Sequence, residues 1–276
     1  MIARTATWWT ILRISMEERL VYRGEFALGT LMRFLPIVTQ VFLWAAVFSA
    51  MGGSSHGRRT VAGYSYHDMI AYYLLTMISR AFSSMPALAS GIARDIRDGT
   101  VKKYLVQPID MLGFLLLYRV AHKLVYYLVA VGPFLLVFYV CRGYFPGWPD
   151  GPTLLAFLLS LVMSFLLGFF LEATLGLFSF WFLEVSSLLF IYMLFSFFFS
   201  GHMFPIDMLP GVAGTIVKHI PLQYLAYFPA AVFLGKVRGA ELAWGLTLQF
   251  VWVVFFIVAS RIIFSLGARR YSGFGA

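Results

Sequence analysis

Residues 242–260 read LAWGLTLQFVWVVFFIVAS, an uncharged run bounded by Glu241 and Arg261. At a rise of about 1.5 Å per residue, a helix of this length reaches about 28 Å, close to a hydrocarbon core of about 30 Å. Lipid offers no partner to a backbone amide, so the run has to be helical to satisfy its own peptide groups. Working outward, the same signature recurs at 34–57 between Arg33 and Arg58, at 124–141 between Lys123 and Arg142, and at 151–171 between Asp150 and Glu172. It recurs again at 185–206 between Glu184 and Asp207, and at 69–93, broken only by Arg80. The predicted spans are 26–51, 67–91, 120–141, 152–180, 183–204 and 241–262. The fold class is therefore all-α and integral to the membrane, with six transmembrane helices.

Composition agrees. Hydrophobic residues make up 61% of the 276-residue chain and charged residues 12%, with a mean hydropathy of +0.84. Soluble domains are about 45–50% apolar and about 25% charged. A soluble fold of this size leaves too much surface facing water to hide the excess. That disfavours a soluble enzyme, a disordered protein and a disulfide scaffold. Six spans leave no room for a large extramembrane domain, so 1–276 is read as one transmembrane domain. The lone Cys141 excludes an intrachain disulfide and a multi-cysteine metal site.

The net charge of +9 would suggest nucleic acid in a soluble protein. Here it reads as sidedness. With both termini inside, thirteen cations fall on inner segments or inner span ends, against Arg58, Arg59, Arg142, Lys218, Lys236 and Arg238 outside. The positive-inside rule selects cytoplasmic termini, and no nucleic-acid partner is needed. Over 1–24, Trp9, Leu12, Met16 and Leu20 recur at helical spacing while Arg13 and Glu17 form an i,i+4 pair on another face. This predicts an amphipathic interfacial helix, either a plain anchor or also a contact for a partner. Between 205 and 240, Pro205, Pro210, Pro221 and Pro229 interrupt the apolar pattern. Two crossings need about 40 residues, so two short helices at or dipping into the outer leaflet are expected there, followed by the last span at 241–262 and a cytoplasmic tail at 263–276.

Catalytic signatures are missing: no G-x-x-x-x-G-K-[ST], no H-E-x-x-H and no G-x-S-x-G occurs. The five histidines show no ligand spacing, so neither a metal site nor an enzyme is expected. The densest charge cluster is the loop after the second span, residues 92–109, read IARDIRDGTVKKYLVQPI. Gly99 suits a helix end and Pro108 the start of the next element. The apolar Ile92, Ile96, Val101 and Leu105, set among mixed charges, suit docking on a soluble partner.

This loop resembles that of ABC-2-type permeases, the membrane subunits of one class of ATP-driven exporters. The similarity rests on Asp95, Ile96, Arg97, Gly99, Thr100, Leu105, Pro108 and Ile109. A second similarity is the stretch Ser200-Gly201-His202-Met203-Phe204-Pro205-Ile206-Asp207-Met208-Leu209-Pro210, followed by Pro221, Tyr224, Phe228 and Pro229. Two positions depart from the family pattern: Val106 replaces the second leucine of a pair, and Leu222 replaces an aromatic residue.

The resemblance implies a coupling helix at 92–109, in which Arg94, Asp95, Arg97, Asp98, Gly99, Thr100, Lys102, Lys103 and Tyr104 engage a separate ATP-binding subunit. Two copies of that subunit, binding ATP and Mg, would serve two permeases, identical or paralogous, in a cell (inner) membrane. This chain itself would carry no cofactor. Phe204, Pro205, Pro210, Pro221 and Tyr224 would belong to an external gate. Within the spans, Arg80 is a costly charge and needs an interior partner, with Glu172 favoured over Glu184. The pair reads either as interhelical glue or as part of a substrate path. A secondary transporter or channel is the competing reading, and it would require the internal repeats and acidic relays that are not found here.

Overall fold

The structure, a computed structural model, describes residues 8–14, 16–17, 29, 32, 34–51, 60–107, 109–182 and 184–271. Much of the interfacial helix predicted over 1–24, the start of the 26–51 span, Pro108 and the end of the tail lie outside them. The described residues form helices α1 (Leu35–Ala50), α2 (Tyr66–Ser83), α3 (Leu88–Arg97), α4 (Lys102–Val106) and α5 (Met111–Val140). They continue with α6 (Gly151–Leu177), α7 (Ser186–Phe199), α8 (Gly211–Val217), α9 (Tyr227–Phe233) and α10 (Gly239–Arg270). Near the N-terminus, residues 8–14 and 16–17 are helical, and Arg13 Nε meets Glu17 Oε1 at 2.9 Å, the expected i,i+4 pair.

Among the described residues, three helices are long and apolar enough to cross a membrane: α5, α6 with its 3-10 extension to Phe180, and α10. α1 and α7 are apolar but have 16 and 14 residues, fewer than the about 20 a span needs. α5 begins at Met111, well before the predicted 120, and α10 runs on to Arg270. The charge-free windows measure only hydrocarbon length, whereas a helix continues into the headgroups, where long basic side chains snorkel.

The predicted span 67–91 is not one helix. α2 ends at Ser83, and Met85-Pro86 and a left-handed Ala87 (φ 60°) separate it from α3. Proline has no amide to donate and pushes its predecessor out of the helical region. Residues 205–240 do form short helices, α8 and α9, of seven residues each, about 10 Å long and unable to cross. α9, however, is almost wholly buried and packs on α6.

The helices divide into two units. The first contains α1, the first residues of α2 and α5. Its α2 N-terminus carries a capping box, with Ser65 N donating to Asp68 Oδ2 (3.1 Å) and Asp68 N to Ser65 Oγ (3.2 Å). Tyr66 packs edge-on against Phe48 and donates its hydroxyl to Val41 O. Asp110 caps α5 by accepting from Gly113 N at 2.7 Å.

The second unit contains the rest of α2, α3, α4 and α6–α10, and α6 is its axis. α6 buries 56% of its most apolar window, against 17% for α10, and packs along α10, α3 and α9. Two glycines permit this. A Cβ on Gly168 would lie 2.1 Å from Ser83 O, and one on Gly176 would lie 2.7 Å from Ala89 O. Fully buried Ser160, Ser164 and Gln249 tie α6 to α10. Ser160 Oγ donates to Gln249 Oε1 (2.9 Å), and Gln249 Nε2 donates to Ser160 O (3.0 Å) and Ser164 Oγ (3.1 Å). Ser164 Oγ in turn donates to Tyr224 O at 2.6 Å.

Overpacking a tight contact costs about 1–3 kcal/mol. Gly168→Leu should therefore lower the melting temperature in detergent by several degrees. Gly132→Ala, in open space on α5, should melt close to wild type. Gln249→Leu leaves buried hydroxyls short of a partner and should destabilise by about 1 kcal/mol, the order of interhelical hydrogen bonds in membranes, readable in the same melts.

Candidate functional site

The loop after α2 is built as a rooted handle. α3 turns Leu88, Ala89, Ile92 and Ile96 inward against α6. It ends where Asp98 N donates to Arg94 O and Gly99 N to Ile96 O, with Gly99 at φ 78°, a left-handed helix stop that favours glycine. A Cβ there would sit 3.4 Å from the Tyr271 hydroxyl, so the bend rests on the end of α10.

Asp95 closes the turn. Its carbonyl accepts from Val101 N (2.9 Å), its Oδ1 from Thr100 Oγ1 (2.8 Å), and its Oδ2 lies 3.5 Å from Lys103 Nζ. The Lys103 ammonium also sits 4.8 Å from the Tyr104 ring centre. Burial pushes the half-buried Tyr104 phenol above its ordinary pKa, against the opposing pull of Lys103.

Of the four apolar residues expected to grip a partner, Ile92, Ile96 and Val101 are buried in the chain's own core. The helical spacing that made α3 look like a docking face is the face it uses to attach to α6. What remains outside is Leu105 at 41% and Val106 at 85% exposure, with Lys102 and Lys103 beside them. Arg97 lies 3.5 Å from Asp98 and 3.9 Å from Glu184 just before α7. Both contacts are half exposed, and such pairs hold weakly.

The structure brings Arg80 and Glu172 to one cavity of about 160 Å³, lined also by Ser83, Ser84, Tyr192 and Ser196. Arg80 stands in the last turn of α2, next to the Pro86 break. Glu184, the alternative partner, is found beside Arg97 instead.

The second motif folds into pinned turns. Tyr72 donates its hydroxyl to Gly201 O and Tyr73 donates to Met203 O (2.7 Å). Asp207 accepts from the Tyr227 hydroxyl (2.7 Å) and pairs with Lys218 (2.8 Å), joining the two halves of the motif. Pro205 and Tyr224 are buried, Phe204 and Pro221 partly so, and Pro210 is exposed. Tyr224 packs edge-on against Phe228 at 5.1 Å. The clamp formed by Ser160, Ser164 and Gln249 was not read from the sequence. Its one signal was a glutamine within an uncharged span.

The family described as "ABC-2 family transporter protein" matches residues 34–275. No curated protein matches the chain. A match running from α1 almost to the last residue, over a helical chain with three span-length apolar helices, places this protein in the ABC-2 transporter family, as a multi-pass membrane component of an ABC transporter that works with a separate ATP-binding subunit.

Proposed function

We propose that the chain is the permease subunit of an ATP-driven exporter, acting as a single permease domain and coupled through residues 92–109 to its ATP-binding partner. The observation that carries this reading is the division of the loop. Ile92, Ile96 and Val101 anchor it inside, Asp95 stiffens its turn, and Lys102, Lys103, Leu105 and Val106 are left for a partner. A handle that transmits force must be stiff at its root and must offer grip at its tip. Two ATP-binding subunits, carrying ATP and Mg, would move two permeases, identical or paralogous, between inward- and outward-facing states. Arg94, Arg97 and Asp98 flank the grip, with Gly99 and Thr100 setting its bend. The termini would be cytoplasmic in a cell (inner) membrane, and Phe204, Pro205, Pro210, Pro221 and Tyr224 would form part of the outer gate.

The double variant Lys102→Glu/Val106→Asp should lower permease-stimulated ATP turnover at least about tenfold and abolish copurification, since interface anchors are each worth more than about 1 kcal/mol. Asp95→Ala should leave copurification intact and weaken stimulation, because it loosens the turn without changing the tip. Full stimulation in both variants would remove the loop from the coupling path.

Arg80 and Glu172 fit a polar link between α2 and α6. Arg80→Ala should then lower thermal stability while each folded transporter keeps its rate of substrate movement. A folded, stable Arg80→Ala protein without transport would reassign the cavity to the substrate path.

A further inference from the structure

α3 has a second face. Opposite its buried residues, Ser90, Arg94 and Arg97 open on a cavity of about 270 Å³, bounded across from them by Glu184, Ser186 and Leu189 at the start of α7. That is just under the about 300–1,000 Å³ of pockets enclosing a whole drug-sized ligand, so it suits a headgroup whose remainder lies outside.

The charges within it are uneven. Glu184 accepts from Ser186 N at 2.8 Å and lies 3.9 Å from Arg97, which also lies 3.5 Å from Asp98. Arg94 lines the same cavity, and its guanidinium has no ion pair or hydrogen bond among the described residues. Ser90 and Ser186 add hydroxyl donors. A guanidinium fork flanked by hydroxyls is the donor set that phosphate oxygens accept from. From the mouth of the cavity runs α7, none of whose side chains is buried among the described residues. Leu188, Phe190, Ile191 and Leu194 stand exposed along it, an apolar track against which acyl chains can lie.

We propose that this cavity binds the phosphate group of an anionic phospholipid, with Arg94 as its principal cation, Ser90 and Ser186 as donors, and the acyl chains along α7. Basic pockets between transmembrane helices lodge such headgroups. Bound phosphate competes with Glu184 for Arg97, so the lipid sets how firmly α3 is tied to the base of α7. The site shares Arg94 and Arg97 with the flank of the coupling grip, but its lining lies within the permease, so lipid binding is measurable without the ATPase.

The test uses the full chain purified in mild detergent without any ATPase. It is titrated with phosphatidylglycerol or phosphatidylcholine, and retained lipid is counted by native mass spectrometry. Wild type should retain phosphatidylglycerol about tenfold more strongly, the order of a charge-assisted contact. Arg94→Gln should remove the preference by deleting the charge, and Ser90→Leu by filling the space. Arg142→Gln, at the far end of α5, should keep it. Equal retention of both lipids by wild type, or an unchanged preference in Ser90→Leu, overturns the site. Millimolar inorganic phosphate raising the wild-type melting temperature without any phosphatidylglycerol preference would make the ligand a soluble anion and overturn the lipid assignment. If Arg94→Gln does not fold, Ser90→Leu, at an exposed position, decides alone.

Discussion

A side chain of any size at Gly168 would run into the Ser83 carbonyl, and one at Gly176 would run into Ala89. α6 therefore touches bare backbone on both sides of the Pro86 break. Everything in the larger unit takes its position from that approach. α2 delivers Arg80 to the cavity it shares with Glu172, and α3 lies along α6 with its tip outside. In lipid, apolar side chains gain little by leaving one apolar environment for another. Close contact between backbones, with the dispersion attraction it brings, takes over part of the role that hydrophobic burial has in water.

The polar clamp between α6 and α10 follows the same logic. Gln249 and the two serines are fully buried, and their hydrogen bonds close on one another and on the Tyr224 carbonyl. α6 is thus fixed against α2 and α3 by steric intimacy and against α10 by directed bonds. Together they hold the turns that follow α7 against the same helix. The pinned loop at 200–210 continues the pattern, since Tyr72 and Tyr73 each bring a hydroxyl to a carbonyl that broken helix would otherwise leave open, and Tyr227 brings one to the Asp207 carboxylate.

Much of this is legible in the sequence. Uncharged runs reported the apolar helices, because charge in hydrocarbon is expensive enough to be excluded almost everywhere. Gly99 marked a helix end because few residues besides glycine adopt the required backbone. The meeting of Arg80 and Glu172 at one cavity follows from the cost of a charge in lipid. The break at Pro86 was missed because hydropathy does not register backbone continuity. The burial of Ile92, Ile96 and Val101 was missed for a different reason. Helical periodicity identifies an apolar face but not what covers it, and a face that could dock on a partner is indistinguishable in sequence from one that docks on its own chain.

That last feature also bears on how such a loop can change over generations. The residues that keep it in place, Ile92, Asp95, Ile96, Gly99 and Val101, are distinct from those at its tip, Lys102, Leu105 and Val106. Substitutions at the tip alter what is presented to the outside without disturbing the scaffold beneath. Recognition can drift, duplicate and specialise while the fold that carries it stays under separate constraint.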